Sequence, residues 1–203
     1  MNTVLNKIFL VFSIMISTNC FCQDKESTDI TDVIKATFFN PGISYEKRIG
    51  KFQSLYAQVF MNTSFFLDYS DALGFTSGIH FDPGATLQYR YYYNSAARGA
   101  KGKRIEMNSL NYVSFILETT LITQKILLVD YIKKDHHAVK HLGIAWGFQR
   151  NYKSRFSLDL NVGLGYVFAK TTEIDNGQWV TKSIGEFTTL GQVDLGFWLN
   201  KRN

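Results

Sequence analysis

Arg90, Glu118, His141, Arg155, Asp159, Glu186 and Asp194 all stand at alternate positions of segments whose intervening residues are apolar. Carboxylates beside an imidazole are the parts of a proton-transfer site, with His141 accepting a proton and a carboxylate orienting it. Alternation supplies a plainer account. Every second residue of a strand shares one face whether or not anything reacts there, and charges enclosed together must pair. Arg90, Glu118, Asp159 and Asp194 are therefore expected to form an interior charge network, with at least one carboxylate neutralising the guanidinium. No catalytic residue is assigned.

Other constellations are weaker. His136 and His137 are adjacent, and neighbours on an extended chain point apart, which is poor geometry for one metal ion. Ser183, His137 and Glu186 have the residue types of a hydrolytic triad, but nothing in their spacing links them. There is no glycine-rich phosphate loop, no His-Glu-x-x-His and no nucleophile elbow. Neither a cofactor nor a metal is expected.

The segments that would carry these groups read as strands. The clearest sets Phe156, Leu158, Leu160, Val162, Leu164, Tyr166 and Phe168 against Arg155, Ser157, Asp159, Asn161, Gly163 and Gly165. Similar alternation marks strands at about 53–68, 81–93, 107–123, 138–150 and 187–199, besides 154–169. These runs exceed the usual soluble strand of about 5–6 residues. They suit the roughly 9–11 strand residues that cross a bilayer, apolar face to lipid and polar face inward. No apolar run after residue 23 approaches the ~20 residues of a membrane helix, so only a closed antiparallel sheet could span.

The first residues give an independent indication of export. Lys7 precedes the apolar run 8–16, followed by Ser17, Thr18 and Asn19, and the order matches a secretory signal peptide. Cys20-Phe21-Cys22 meets the small-x-small rule, which places cleavage between Cys22 and Gln23. The expected organisation is a signal peptide at 1–22, a short periplasmic segment at 23–32 and a β-barrel domain at 33–203. Both cysteines of the chain would leave with the signal, removing any disulfide or thiolate metal site.

Strand parity refines the count. Chain ends on one side of a membrane require an even number, yet a single strand at 33–48 would make seven. Ile34, Ala36 and Phe38 are apolar at even positions, whereas Ile43 and Tyr45 are apolar at odd ones. The phase breaks at Asn40-Pro41-Gly42, a turn signal, which predicts two short strands and eight in all. Short basic connections fall near 49–52, 98–105 and 151–153; longer ones are expected at 69–80, 124–136 and 170–184. Bacterial outer-membrane barrels have such short periplasmic turns and longer extracellular loops.

Gly42-Ile43-Ser44-Tyr45-Glu46-Lys47-Arg48, Arg90-Tyr91-Tyr92-Tyr93-Asn94 and the alternating strand through Gly163 and Gly165 carry a resemblance. The chain resembles the small eight-stranded outer-membrane barrels of the Bacteroidota type, similar in plan to OmpA/OmpX barrels. The resemblance implies an up-and-down transmembrane barrel in a Gram-negative outer membrane, and it implies no activity.

The expected role is thus structural or surface-interactive, without catalysis, around a filled polar interior. A narrow porin-like pore for small solutes, a lipid-modifying barrel enzyme and a periplasmic binder of a lipophilic ligand are the alternatives. The net charge of +5 collects in the basic connections, where Glu46 and Glu106 are the acids expected to oppose it. Such a rim suits anionic lipid headgroups, and export argues against nucleic acid as a partner. Expected partners are outer-membrane lipids and lipopolysaccharide, the barrel-assembly machinery, and a protein or surface ligand at the extracellular loops. The segment 124–132 is unusually apolar for a loop, which marks either a partner site or a hairpin extension.

Overall fold

The computed structural model describes residues 29–70, 74–128, 131–175 and 178–200, with side chains described outside 64–80, 123–136 and 171–179. The cleavage site expected at Cys22 and Gln23 lies outside the described residues.

Eight antiparallel strands form one ring-like sheet: β1 (Val33–Phe39), β2 (Gly42–Gly50), β3 (Gln53–Ser70), β4 (Gly74–Tyr92), β5 (Asn111–Leu128), β6 (Tyr131–Asn151), β7 (Phe156–Asp175) and β8 (Gln178–Trp198). Each strand pairs with its sequence neighbour, and β1 pairs with β8 to close the ring. The expected division of 33–48 holds: β1 and β2 are separate strands with Thr37 opposite Gly42. At the turn Asn40 takes a left-handed φ of 52°. Asparagine tolerates that conformation better than most residues.

Ring closure fills only part of the strand length. β4 and β5 pair from Tyr92↔Tyr112 up to Gly84↔Thr120 and no further, and β6 and β7 stop at Lys140↔Phe168. Beyond those levels the chain continues as three two-stranded hairpins, β3–β4, β5–β6 and β7–β8. The segments expected as loops at 69–80, 124–136 and 170–184 are largely the ends of these strands. Their alternation fades because a hairpin satisfies its backbone internally and demands no apolar face. The reading of 124–132 as a hairpin extension is the one the backbone supports, with Leu128 opposite Tyr131.

The connection from β4 to β5 departs most from expectation. It holds a short helix, α1 (Ser95–Ala100), and β5 starts at Asn111 rather than at 107. Met107 and Asn108 both take positive φ, 53° and 58°, so the chain turns under the ring instead of entering it. Leu110 packs there with Ile30, Tyr92 and Tyr112 as a small apolar floor, with Phe52 and Ile105 at its edge.

Burial is inverted relative to a water-soluble domain. Outward side chains are large and apolar, with Phe187 87%, Leu164 70% and Val59 63% exposed. The largest fully buried side chains include Arg90, Lys35, Gln88, Gln149 and Glu46. Facing therefore follows the sequence alternation along β7, where Asp159 and Asn161 are buried and Val162 and Leu164 exposed.

Candidate functional site

The interior is built in levels, and the lowest is a packed polar network. Asp159 on β7 accepts hydrogen bonds from Arg90 Nη1 at 2.8 Å, Lys35 Nζ at 2.9 Å and the Tyr112 hydroxyl at 2.6 Å. Strand register explains the meeting: these residues occupy inward positions of β7, β4, β1 and β5 at the floor end of the ring. Gly147 makes room for Tyr112, since a Cβ there would stand 2.5 Å from its ring carbon Cζ.

The guanidinium is held through Nε and Nη1, while its buried Nη2 has no hydrogen-bond partner among the described residues. Its Nε donates to Gln88 at 2.9 Å and Nη1 also reaches Gln149 at 3.0 Å. The rings of Tyr56 and Tyr112 lie 3.7 and 4.3 Å from the guanidinium carbon, so cation–π attraction supplements the ion pair. Glu46 completes the network, accepting from the hydroxyls of Ser54 and Tyr92, each at 2.6 Å, and from Gln149 Nε2 at 3.3 Å. Arg90 and Lys35 thus meet Asp159 and Glu46 within one desolvated cluster, the kind of pairing that makes buried charge tolerable.

Asp194 lies directly opposite Asp159 in the β7–β8 ladder, accepting from Gln192 Nε2 at 2.8 Å, and that amide also donates to Gln58 at 2.7 Å. Gln88 and Asn161 extend this amide layer, donating to Gln192 at 3.0 and 3.2 Å.

Glu118 stands apart from the cluster. It lies opposite His141 in the β5–β6 ladder, with Nδ1 3.6 Å from Oε1 and both side chains about one quarter exposed. They line a polar cavity of about 250 Å³ with Asn62, Asn161 and Gln192. Of the four residues expected as a network, Arg90 and Asp159 are ion-paired, Asp194 is held by the amide layer beside them, and Glu118 belongs to the cavity. The expectation that at least one carboxylate pairs with Arg90 is met by Asp159; Glu118 does not reach it, because inward positions on neighbouring strands stagger by height. Thr86, two positions up from Gln88, is the residue opposite Glu118.

Sequence reasoning missed Lys35, Glu46 and the three buried tyrosines. Lys35 and Glu46 carried the signal: both are charged residues flanked by Ile34 and Ala36, or Tyr45, in alternating segments. Arg155 leaves the interior altogether; at a φ of 71° it lies in the turn after β6, its guanidinium 5.3 Å from the Trp198 ring. Glu186 and Ser183 are exposed on β8, while His137 is on β6 with β7 between them, so the triad types are not gathered. Among the described residues no group of three potential metal ligands assembles.

The basic rim is also partly neutralised. Lys47 donates to Asp32 at 2.7 Å, Arg48 pairs with Asp29, and Arg104 pairs with Glu106 at 2.5 Å. Hydrogen bonds from the Lys47 ammonium and the Arg48 backbone hold the Asp32 carboxyl below its ordinary range, because they favour the charged form. Glu46, expected on this rim, faces the interior instead, and Asp29 and Asp32 supply the opposing acids. No family model, no curated protein and no solved structure matches the chain.

Proposed function

We propose that the chain is an outer-membrane β-barrel protein whose eight strands span the bilayer, sealed by its polar interior at one end and acting through the three hairpins at the other. The observation that carries this reading is the inverted burial, with Val59, Leu164 and Phe187 outside and Arg90, Lys35 and Glu46 enclosed. Water would reward the opposite arrangement. The dimensions agree. Outward apolar side chains on β7 run over 156–168. A tilted strand of that length climbs somewhat more than the apolar band of a transmembrane barrel is tall, so its outer face can cover the band from edge to edge. The apolar run at 8–16 adds the export route.

A structural or surface-interaction role fits this interior better than conduction. The Arg90–Asp159–Lys35 network, with Tyr56, Tyr92 and Tyr112 around it, fills the cross-section above the Leu110 floor. Outer-membrane lipids and lipopolysaccharide, the assembly machinery and a surface ligand at the hairpins are the partners this reading supplies. Membrane fractionation combined with gel mobility before and after heating tests it. The folded chain is expected in the outer-membrane fraction with faster mobility unheated. Recovery in the aqueous phase without detergent would overturn it, and stable conductance in planar bilayers would replace the sealed barrel with a pore.

A further inference from the structure

The wall of the ring is notched. β1 and β2 stop at the turn through Asn40 and Pro41, while their outer neighbours β3 and β8 continue. β2 last meets β3 at Gly42↔Phe60, where the Met61 amide donates to Pro41 O at 2.8 Å, and β1 last meets β8 at Phe39↔Leu195. Above these pairs β3 and β8 face each other with no strand between them among the described residues. The notch is not above the apolar belt: Phe187 on β8 and Phe168 on β7 are exposed at greater height. An unpaired strand edge at that height is costly in lipid unless something polar or amphiphilic occupies the gap.

Behind the notch lies the Glu118–His141 cavity. A second cavity of about 250 Å³ shares Asn62, Glu118, Gly191 and Gln192 with it and reaches outward to Phe39, Asn40 and Val193. The two make one passage, apolar at its lip and polar inside. Among the described residues no lysine or arginine lines either part, and Asp82, buried beside Asn62 in the β3–β4 ladder, adds a second acid at this level. The nearby cations Arg90 and Lys35 are committed to Asp159 below.

We propose that this notch is a lateral entrance through which a single-chain membrane amphiphile places a primary-ammonium head in the Glu118–His141 cavity, its tail lying across Phe39 and Val193. The proposal rests on the barrel sitting in lipid. Glu118, in a passage that no described lysine or arginine lines, repels phosphate and carboxylate heads and attracts ammonium. At ~30 Å³ per water, the inner cavity has room for about eight waters, enough for a small head with the tail outside. The chain's own first described residues are at the wrong end, since Ile30 packs on the floor with Tyr92 and Leu110. A strand from a second copy would cover the edge but leave the polar cavity unfilled.

The full chain in dodecyl maltoside is titrated with dodecylamine, dodecanol and dodecanoate and read by native mass spectrometry. One dodecylamine per chain is expected, with dodecanol binding about tenfold more weakly and dodecanoate weaker still. Glu118→Gln should remove the preference for amine over alcohol while heat-modifiable mobility is retained. For placement, 12-bromododecylamine should quench a tryptophan introduced by Val193→Trp saturably, and one introduced by Leu117→Trp on the far wall not saturably. Equal binding of dodecanoate, an unchanged preference in Glu118→Gln, equal quenching at both positions, or dimers without bound amine each overturn the proposal. A chain that remains in the membrane fraction but ignores dodecylamine refutes this inference alone, whereas a water-soluble chain refutes the membrane reading.

Discussion

The floor half and the hairpin half of this interior are lined by the same residue types yet behave as opposites. Around Asp159 each charge has a partner at 2.9 Å or closer, and aromatic rings exclude water. Around Glu118 the facing His141 stands 3.6 Å away beside a cavity that both line, and both side chains are partly exposed. The difference comes from closure. At the floor, eight strands, the Leu110 turn and the 29–32 segment surround the cluster. At the hairpin end β1 and β2 have already stopped, and the remaining strands separate into pairs. A charge is structural where the wall is complete and available where it is not.

Asp159→Ala should break this comparison open most forcefully. It strands Arg90 and Lys35 in a desolvated site, a loss of about 3–5 kcal/mol, and the apolar pair Asp159→Leu with Arg90→Met should recover part of it. Denaturant unfolding of the refolded chain, followed by heat-modifiable mobility, measures both. Next in size is Val162→Arg, which puts a charge on the outer face at mid-strand and should cost roughly 2–4 kcal/mol in lipid. The inward neighbour change Asn161→Ser should cost only about 1 kcal/mol through its bond to Gln192. Similar midpoints for these two variants in lipid vesicles would reverse the assigned facing.

Glu118→Ala sharpens the comparison from the other side. It removes a carboxylate from a water-accessible cavity and should shift stability by less than about 1 kcal/mol. A loss as large as that of Asp159→Ala would mean that the upper level is as tightly integrated as the lower. The smallest effect belongs to the rim. Because folding lowers the Asp32 carboxyl pKa, its contribution is present above the unfolded carboxylate range and fades as pH falls through the folded value. Asp32→Asn should therefore slightly lower the unfolding midpoint at neutral pH and match the parent chain in strong acid. High salt should shrink the difference, as the Lys47 pair is exposed.

Much of the fold was legible in the residue order. Alternation from Phe156 to Phe168 set both the strand and its facing, because successive side chains must point to opposite sides. The phase change at Asn40-Pro41-Gly42 separated β1 from β2, because a one-residue slip exchanges inside for outside. Polar character at Arg90 and Asp159 was legible for the same reason. What alternation could not carry is height. Which inward residues meet depends on the stagger between strands, and that is settled by pairing around the whole ring. Only the tertiary structure therefore set Asp159, rather than Glu118, against Arg90 and brought in Lys35 from β1. The same holds for the floor, where two left-handed residues at Met107 and Asn108 turn a nominal strand start into a plug. It holds again for the notch, since a short hairpin becomes an opening only when its longer neighbours stand on either side of it.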